Sequence, residues 1–337
     1  MKVLALVAVL LCYGIEVTTT VSTVQYKTER QTIRPLIKSQ GQGGPDGRHF
    51  DDLKSRIGRK ASVVSVHSIK MTIDYRQGVQ AIQATYLLSN GRFHTAPRHG
   101  KNSSTTYTVT VTLGADEYIE KVEGYTNGAF ILQLMITTMR AENGTRQMYG
   151  PYGQPAIPNF TFEGYIVGFH GRSDTALNNI GVYTLTPLKK RIVYAGPLPD
   201  GGRLDEDPDL FFPPAVKMSK LYINHGITLN SLQVEYQLLD GSRLLGKKYS
   251  GALDSYGNLT IIDIGDREQI IGVECKMETY YNYIDQITFI SRKGNGHVVI
   301  YGPFGRLGKK SFSVHGSIVG FFGEASNIIN GIGVYYY

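Results

Sequence analysis

The sequence of 337 residues contains no tryptophan and only two cysteines. Cys12 lies in the apolar N-terminal segment, so Cys275 is the only thiol in the rest of the chain. A single thiol cannot form an internal disulfide, which excludes a cystine-stabilised scaffold and leaves stability to hydrophobic cores. Cys275 stands in an apolar, strand-like segment and is predicted to be a small buried side chain, with an intermolecular disulfide as the alternative.

Long hydrophobic runs are absent except for Val3–Leu11, which follows Lys2. This run is too short to span a bilayer, and polar residues follow it. The pattern predicts a secretory signal peptide over residues 1–20, followed by a short segment at 21–32, with a buried N-terminal strand as the alternative. Four Asn-X-Ser/Thr acceptors support a secreted, extracellular glycoprotein, namely Asn102, Asn143, Asn159 and Asn258.

Motifs of catalysis and of metal binding are also missing. Asp205–Asp209 lacks the glycine and the distal glutamate of a calcium loop, and Gly302–Lys310 has the wrong spacing for a phosphate loop. The eight histidines show no metal-ligand spacing, and His170 and His315 are expected to be surface or hydrogen-bonded residues. No nucleophile elbow or paired-carboxylate site is present. We therefore predict a protein that is not an enzyme and needs no metal or cofactor.

The charge balance is basic, with 35 Lys and Arg against 28 Asp and Glu, a net formal charge of +7. One cluster, here called the Lys54 cluster, comprises Lys54, Arg56, Arg59 and Lys60, and Arg92, Arg98 and Lys101 follow it. Outside the cell the polyanions are sulfated glycans and anionic lipid head groups, and nucleic acid is not an expected partner. A solvated face without a partner is the alternative.

Short strands separated by turns dominate the pattern. Tyr107, Val109 and Val111 alternate with threonines, which predicts a half-buried antiparallel strand. Asn143-Gly144 and Asn295-Gly296 predict two-residue hairpin turns. Further strands are predicted at 65–75, 81–88, 130–138, 221–223 and 287–291. With 39 glycines and no helical stripe, the chain is predicted to be an all-β sandwich, barrel or prism.

A duplication divides the chain. Residues 149–183 recur at 301–335 with a constant offset, so that Tyr149-Gly150-Pro151 returns as Tyr301-Gly302-Pro303. A repeat of about 150 residues has the size of a whole domain. The sequence therefore predicts domain 1 at 33–187, a basic linker at 188–191 and domain 2 at 192–337. Cleavage by a processing protease at 189–191 is the alternative to a plain linker.

Several motifs together resemble jacalin-related lectins. The string Gly164–Gly171, followed by Gly181-Val182-Tyr183, resembles the family's C-terminal signature, and Gly43–Asp52, Val122–Tyr125 and Tyr149–Gly153 agree with it. The resemblance implies two tandem β-prism domains, each with three four-stranded antiparallel sheets around a pseudo-threefold axis. It also implies one shallow sugar site per domain, glycans as partners and association into homo-oligomers, without a membrane span.

The resemblance also places the sugar sites. In domain 1 it assigns Gly47 and the loop Asp174, Thr175, Ala176, Leu177 and Asn178; in domain 2 it assigns Gly201 and the loop Ser326, Asn327, Ile328, Ile329 and Asn330. Backbone N–H groups of Thr175, Ala176, Asn327 and Ile328 are expected to remain available as sugar donors.

Both loops depart from the family pattern. Asp174 and Ser326 replace its glycine, and Asn178 and Asn330 replace its carboxylate. Because charge-assisted hydrogen bonds are stronger than neutral ones, the amide weakens neutral-hexose binding by about tenfold or more. The amide also removes repulsion toward sulfate or uronate. Vertebrate zymogen-granule lectins are similar in pairing such a site with a basic surface, so we predict that domain 1 favours sulfated, glycosaminoglycan-like polysaccharides through Asn178 and the Lys54 cluster.

Two functions remain open on these residues. The first is a secreted lectin whose two sites give avidity for multivalent glycans. The second is a structural or matrix protein in which the prism survives as an assembly unit after its sugar sites have decayed. Domain 2 carries Asp205, Glu206 and Asp207 in place of a basic cluster, so the two domains are expected to bind different ligands.

Overall fold

The computed structural model describes residues 34–54, 61–101, 106–194, 202–250, 256–277, 283–325 and 328–337. All of them belong to one compact unit, 31–337. Several predicted features lie outside the described residues: the signal peptide 1–20, the segment 21–32, Arg56, Arg59, Lys60, Asn102, Gly201, Ser326 and Asn327. Within the described part the regular structure is β-strand, with one short 3-10 helix at Pro208–Leu210.

The strands of domain 1 alternate with tight turns. They are β1 (Leu36–Lys38), β2 (Gln42–Gly43), β3 (Arg48–Asp51), β4 (Val63–Asp74), β5 (Gly78–Leu88), β6 (Phe93–Thr95), β7 (His99–Gly100), β8 (Tyr107–Thr112), β9 (Glu117–Thr126), β10 (Ile131–Arg140), β11 (Arg146–Gly153), β12 (Phe160–Ser173) and β13 (Leu177–Leu185). One antiparallel sheet has the order β6-β5-β4-β8, with β7 also on β5. The other runs β1-β13-β12-β9-β10-β11, with β2 on β13 and β3 on β12.

Domain 2 repeats this order. Its strands are β14 (Lys189–Tyr194), β15 (Gly202–Asp205), β16 (Ala215–His225), β17 (Leu229–Leu238), β18 (Arg243–Ser250), β19 (Asn258–Asp263), β20 (Glu268–Met277), β21 (Gln286–Lys293), β22 (Val298–Gly305), β23 (Lys310–His315), β24 (Ile318–Ala325) and β25 (Ile329–Tyr336). They form three four-stranded sheets, β14-β25-β24-β15, β18-β17-β16-β19 and β22-β21-β20-β23. This arrangement confirms the predicted pair of β-prisms.

The larger sheet of domain 1 is two prism faces joined by one long strand. The first part of β12 pairs with β9, with a register shift between Glu163 and Ile166. The second part pairs with β13 from Ile166 and with β3 from His170. Gly164 stands at the break with a φ of 120°, a conformation that favours glycine. In domain 2 the equivalent Gly316 separates β23 from β24.

The predicted basic linker is part of a sheet. Lys189 to Tyr194 form β14, in which Lys190 pairs with Tyr335 and Arg191 with Val334 of β25. A polar sequence concealed this strand because β14 lies at a sheet edge, where side chains face water.

Each domain has its own core, and Cys275 belongs to that of domain 2. Its side chain is 1% exposed and unpaired, as predicted, and burial raises the pKa of its thiol. The equivalent position in domain 1 is Gly124, where a Cβ would lie 2.4 Å from the Phe160 ring. The same strand position is therefore filled by a small side chain in one copy and by a neighbouring ring in the other.

A third apolar cluster, here called the seam, joins the domains. It contains Tyr118, Tyr165, Val167, Tyr183 and Leu185 of domain 1 with Val216 and Phe212 of domain 2. The Tyr118 and Tyr165 rings lie 4.6 Å apart between centroids, and Phe212 lies 6.5 Å from Tyr165. Arg34, which is 3% exposed, forms an ion pair with Asp209 and donates its backbone N–H to Val216. No pattern in the sequence had predicted a contact between the two domains.

The described sequons are exposed. Asn143 lies in the turn between β10 and β11, where its side chain accepts a 2.9 Å hydrogen bond from the Thr145 N–H and Gly144 has a φ of 69°. Asn159 precedes β12 and Asn258 begins β19. Their glycosylation stays a prediction. In the part of the chain that is described, no helix is long and apolar enough to cross a membrane.

Candidate functional site

The loop of domain 1 is a tight turn between β12 and β13, where Ser173 pairs with Leu177. Gly47 lies directly beside it, because β3 begins at Arg48 and Arg48 pairs with Ser173. Gly47 has a φ of 84°, and a Cβ there would lie 2.8 Å from Oδ1 of Asn178. The fold thus brings together the residues that the resemblance assigned to one site, and only glycine fits at position 47.

The Asp174 carboxylate turns onto its own loop. It accepts hydrogen bonds from the backbone N–H of Thr175, from that of Ala176 at 3.4 Å and from the Thr175 hydroxyl at 3.2 Å. Burial alone would raise the pKa of Asp174, but these bonds and one from the Asn178 side chain lower it below its usual value. The two backbone donors, which were expected to remain available to a sugar, therefore already have an acceptor.

Asn178 lies inside the loop and is 1% exposed. Its Oδ1 is buried and has no hydrogen-bond partner among the described residues. A buried acceptor without a partner costs about 1–3 kcal/mol. The family carboxylate is thus replaced by a buried amide oxygen that no described residue donates to.

A cleft of about 490 Å³, here called the basic cleft, opens beside this loop. Its lining includes Arg48, Arg98, Lys101 and Asp174. The three cationic side chains are exposed, and Arg98 also donates to the Thr72 hydroxyl at 2.8 Å. One carboxylate therefore faces three permanent positive charges, and the charge of the cleft is net positive.

The floor of the basic cleft is fixed by a stacked pair of rings. His99 lies on Phe50 with 3.8 Å between ring centroids and an interplanar angle of 10°. Its Nε2 is 2.7 Å from Oδ1 of Asp52. The other oxygen of this carboxylate, Oδ2, accepts a 2.5 Å hydrogen bond from the Tyr86 hydroxyl. Asp52 is 1% exposed, so it serves as an internal anchor for the floor and not as a ligand contact.

The structure does not place Lys54 at the loop. β3 runs from Arg48, opposite Ser173, to Asp51, opposite His170, which is roughly 10 Å at 3.3 Å per residue. Lys54 follows Asp51, is exposed, and has its Nζ 3.9 Å from that carboxylate. The cations beside the loop are instead those of the basic cleft. Arg98 and Lys101 flank β7, and the pairing of β7 with β5 brings them to the loop. No local sequence pattern predicts that pairing.

His170 is hydrogen-bonded to the Ser39 backbone, which is one of the two expected outcomes, and it is not at the surface. It is 5% exposed on β12, its Nε2 is buried without a partner in the described residues, and its ring meets that of Tyr183 edge-on at 5.4 Å. Burial, with a smaller contribution from Lys38, lowers the pKa of His170 to about 4. The ring is therefore neutral at physiological pH.

Less of the domain 2 loop is described. Ile328 is 8% exposed and Asn330 is half-buried. Glu324 occupies the position of Arg172, whose Nη1 donates to the Gly47 carbonyl at 3.0 Å in domain 1. A carboxylate has no hydrogen to donate, so this support of the glycine loop is specific to domain 1.

Metal binding finds no support in the described residues, where no group of three or more His, Cys, Asp or Glu is placed to hold an ion. The acidic turn of domain 2 is instead engaged internally. Asp205 and Asp207 lie near Lys190, Asp209 pairs with Arg34, and Glu206 accepts a 2.8 Å hydrogen bond from the Lys247 N–H.

Curated relatives are lectins and binding proteins of plants. The chain is 28% identical over 239 residues to an agglutinin of Castanea crenata, covering 65% of this chain and 74% of the agglutinin. It is 27% identical over 306 residues to jacalin-related lectin 10 of Arabidopsis thaliana, covering 87% and 89%. It is 24% identical over 323 residues to myrosinase-binding protein 1 of the same plant, covering 89% of this chain but only 63% of that protein.

Solved structures of single domains also match. A mannose-specific jacalin-related lectin from Morus nigra, solved in complex with mannose, is 29% identical, with 50% of this chain and 99% of that chain covered and a TM-score of 0.37. Malaysian banana lectin is 27% identical, with 45% and 99% covered and a TM-score of 0.36.

The model of the jacalin-like lectin domain matches this chain twice, at residues 39–183 and 199–335. These segments coincide with the two prisms, and together they include most of the sequence. The protein belongs to the jacalin-like lectin family, a family of carbohydrate-binding domains, as a member with two such domains in tandem.

Proposed function

We propose that this protein is a secreted lectin whose domain 1 binds acidic glycans, with sulfate or uronate groups, at the loop of Gly47 and Asp174–Asn178 and in the adjoining basic cleft. The observation that carries the proposal is the position of Arg48, Arg98 and Lys101 beside that loop. Binding, and not catalysis, is the proposed activity.

Electrostatics decide between neutral and acidic ligands. The loop has lost its family carboxylate, and Asp174 already engages the Thr175 and Ala176 N–H groups, so a neutral hexose finds few strong donors or acceptors. An anionic group gains from three exposed cations, each contributing about 1 kcal/mol at contact distance in water. Salt screens exposed charges over about 8–10 Å, so this binding is expected to weaken as ionic strength rises.

Domain 2 supports a different specificity. Glu324 stands where domain 1 has Arg172, and its acidic turn is engaged by Lys190 and by backbone donors. A ligand with sulfate groups would meet fewer cations there. The two domains are therefore proposed to bind different ligands, and avidity would require glycans that present both.

A structural role is the competing candidate, and one observation favours it. The Asp174 carboxylate satisfies the donors of its own loop, as expected of a site that no longer needs a ligand. Under this alternative the prisms serve as an assembly unit, in homo-oligomers or in a matrix, and the basic cleft is a solvated surface.

Heparin chromatography of charge variants tests the proposal. We expect Lys101→Glu combined with Arg98→Gln to elute at clearly lower salt than the natural protein. Reversal of the Lys54 cluster, by Lys54→Glu, Arg56→Glu, Arg59→Glu and Lys60→Glu, separates the two basic surfaces. If only the second variant loses retention, the basic cleft is not the site; if neither variant changes and a glycan array stays silent, the structural alternative is favoured.

Secretion is tested separately. Expressed in a cultured eukaryotic cell, the chain is expected in the medium with its N-terminus near residue 20 and with a mass that falls on enzymatic removal of N-glycans. Retention of an intact N-terminus inside the cell would contradict this part of the proposal and leave the glycan specificity unaffected.

A further inference from the structure

A second basic recess of about 370 Å³ lies on the outer face of the β3-β12-β13 sheet of domain 1. We propose that this outer recess binds a further anionic group of the same glycan, so that one linear acidic polysaccharide spans both the basic cleft and the outer recess. The inference rests on the proposed function, because it extends the ligand of that site from one acidic unit to a chain.

The recess collects basic side chains from three strands. His49 of β3 pairs with Arg172 of β12, His170 lies two residues before Arg172 on β12, and Lys38 comes from β1. No carboxylate lines the recess in the described residues. Sulfate and carboxylate groups are the ligands that such a concentration of donors recognises.

The existing contacts of these cations leave donors for a ligand. Lys38 donates to Asp51 at 2.7 Å and also hydrogen-bonds the Tyr183 side chain, which leaves one of the three ammonium hydrogens for a ligand. Arg172 donates from Nη1 to Gly47, whereas a guanidinium carries five N–H groups. Both side chains can therefore hold an anion without giving up the contacts that fix them.

Glycines form much of the remaining wall, at positions 41, 43, 44 and 171. At Gly41 a Cβ would lie 2.0 Å from the Asn179 side chain, and at Gly171 a Cβ would lie 2.0 Å from the Asn179 carbonyl. Atoms of Asn179 thus fill the space that a side chain at either position would need, so glycine is required at both.

His49 makes the two sites continuous. It borders both the basic cleft and the outer recess, and its strand β3 pairs only with β12 in the described sheets. A polysaccharide that leaves the basic cleft at Arg48 can therefore pass over the edge strand and reach Arg172 and Lys38. Because the second contact is intramolecular once the first has formed, a longer chain gains affinity without a new protein surface.

In the described residues, domain 2 does not repeat all the cations of the outer recess. Its Lys38 recurs as Lys190, but Arg172 becomes Glu324 and His170 becomes Phe322. Domain 2 thus keeps the lysine that anchors its own sheet and has a carboxylate in place of the Arg172 cation.

The test measures binding of a heparin-derived disaccharide and octasaccharide to the full secreted protein by titration calorimetry. We expect the octasaccharide to bind at least about tenfold more tightly than the disaccharide. Arg172→Gln with Lys38→Gln is expected to remove most of that advantage. Lys38→Gln alone, which changes no contact of the Gly47 loop, is expected to remove part of it and to leave the disaccharide unchanged. Lys101→Glu, in the basic cleft, is expected to weaken both ligands. Arg92→Gln neutralises an exposed arginine of the same domain in the β5–β6 turn and should change neither.

Folding is controlled within the same set. Arg172→Lys keeps the charge and an N–H donor, so Arg172→Lys should retain most of the octasaccharide advantage. An octasaccharide affinity that is unchanged by Arg172→Gln with Lys38→Gln would overturn the inference and leave the proposed function intact. If the natural protein binds neither oligosaccharide, the proposed function fails, and the inference with it.

Discussion

The two domains share their framework and differ at the end where the loops lie. In domain 1 Asp51 accepts from Lys38 and from the Tyr183 hydroxyl, both at 2.7 Å. In domain 2 Asp205 accepts from Lys190 at 3.0 Å and from the Tyr335 hydroxyl. Each lysine also lies over its tyrosine ring, at 5.3 Å and 4.8 Å from the centroid.

A second hydrogen-bond network, around one buried glutamate in each domain, is also repeated. Glu117 accepts from the Thr138 hydroxyl and, at 2.9 Å, from the Gly114 N–H. Glu268 accepts from the Ser291 hydroxyl and, at 2.7 Å, from the Tyr301 hydroxyl. Because a buried carboxylate that loses its donors is costly, such networks constrain the framework, whereas exposed loop residues vary freely. The difference between the domains therefore concerns recognition more than folding.

The largest expected effect of exchanging residues between the two domains is at the seam. Domain 1 has Tyr118 and Tyr165 where domain 2 has Gln269 and Ser317 in the repeat. Replacing both tyrosines by the domain 2 residues should cost roughly 3–5 kcal/mol at the interface, because large buried rings are lost. The expected result in urea denaturation is that one joint transition becomes two, since each domain keeps its own core.

Tyr165→Phe is the matched control for that variant. The Tyr165 hydroxyl is buried and has no partner in the described residues, so its removal should be neutral or stabilising. Destabilisation by Tyr165→Phe as large as that by Tyr165→Ser would show that the hydroxyl, and not the ring, holds the seam.

Strand periodicity and turn residues predicted an all-β chain, and the family motifs specified the prism. Strand β5 covers the predicted 81–88 and β8 contains the alternating Tyr107–Thr112, in which Val111 is buried and the threonines are exposed. Gly144 and Gly296 have the positive φ angles expected of turn glycines. The predicted two-residue turns were wrong in length, because the Arg140 N–H bonds to the Thr145 carbonyl across four residues and the Lys293 N–H bonds to the His297 carbonyl across three. These features are local, so periodicity and turn chemistry determine them.

The site and the seam depend on contacts that no local pattern encodes. The Asp174 carboxylate caps its own loop because of a side-chain rotamer, and Arg98 and Lys101 reach the loop through the pairing of β7 with β5. Arg34 and Asp209 are far apart in sequence and meet only when the prisms pack. Comparing the two copies position by position would have indicated the seam, because Tyr118 and Tyr165 have polar counterparts in the repeat.

Exchanging His170 and Phe322, which are equivalent in the two domains, is expected to change the pH dependence of stability by an intermediate amount. The pKa of His170 is about 4 in the folded chain, below its ordinary value of 6.5, so the unfolded chain binds a proton between these values and the folded chain does not. Stability is therefore complete above pH 6.5 and declines as the pH falls toward 4. His170→Phe should abolish a loss on the order of 2 kcal/mol between pH 7 and pH 5, measured by urea denaturation at both values.

The reverse substitution, Phe322→His, is expected to change the pH dependence of domain 2. Phe322→His places an imidazole where Lys190 already lies 5.8 Å from the ring centroid and where Tyr335 packs edge-on at 5.4 Å. It should give domain 2 an acid sensitivity like that of domain 1, where Lys38 and Asp51 face His170 and His49 lies nearby. Equal pH dependence of the natural chain and of His170→Phe would contradict the assignment.

The smallest expected effect concerns the loop itself and asks whether it can be returned to neutral sugars. Asp174→Ser copies domain 2 and frees the Thr175 and Ala176 N–H groups, and Asn178→Asp restores the carboxylate of the family pattern. Together they should raise mannose affinity by about tenfold, because charge-assisted bonds replace neutral ones. Asn178→Asp alone should not do so, because it sets a second carboxylate against Asp174 and removes a donor to it.

Asp174→Ser alone should strengthen heparin retention by removing the negative charge of the basic cleft. If the double variant binds mannose no better than the natural chain, the loss of neutral-sugar binding lies outside these two positions.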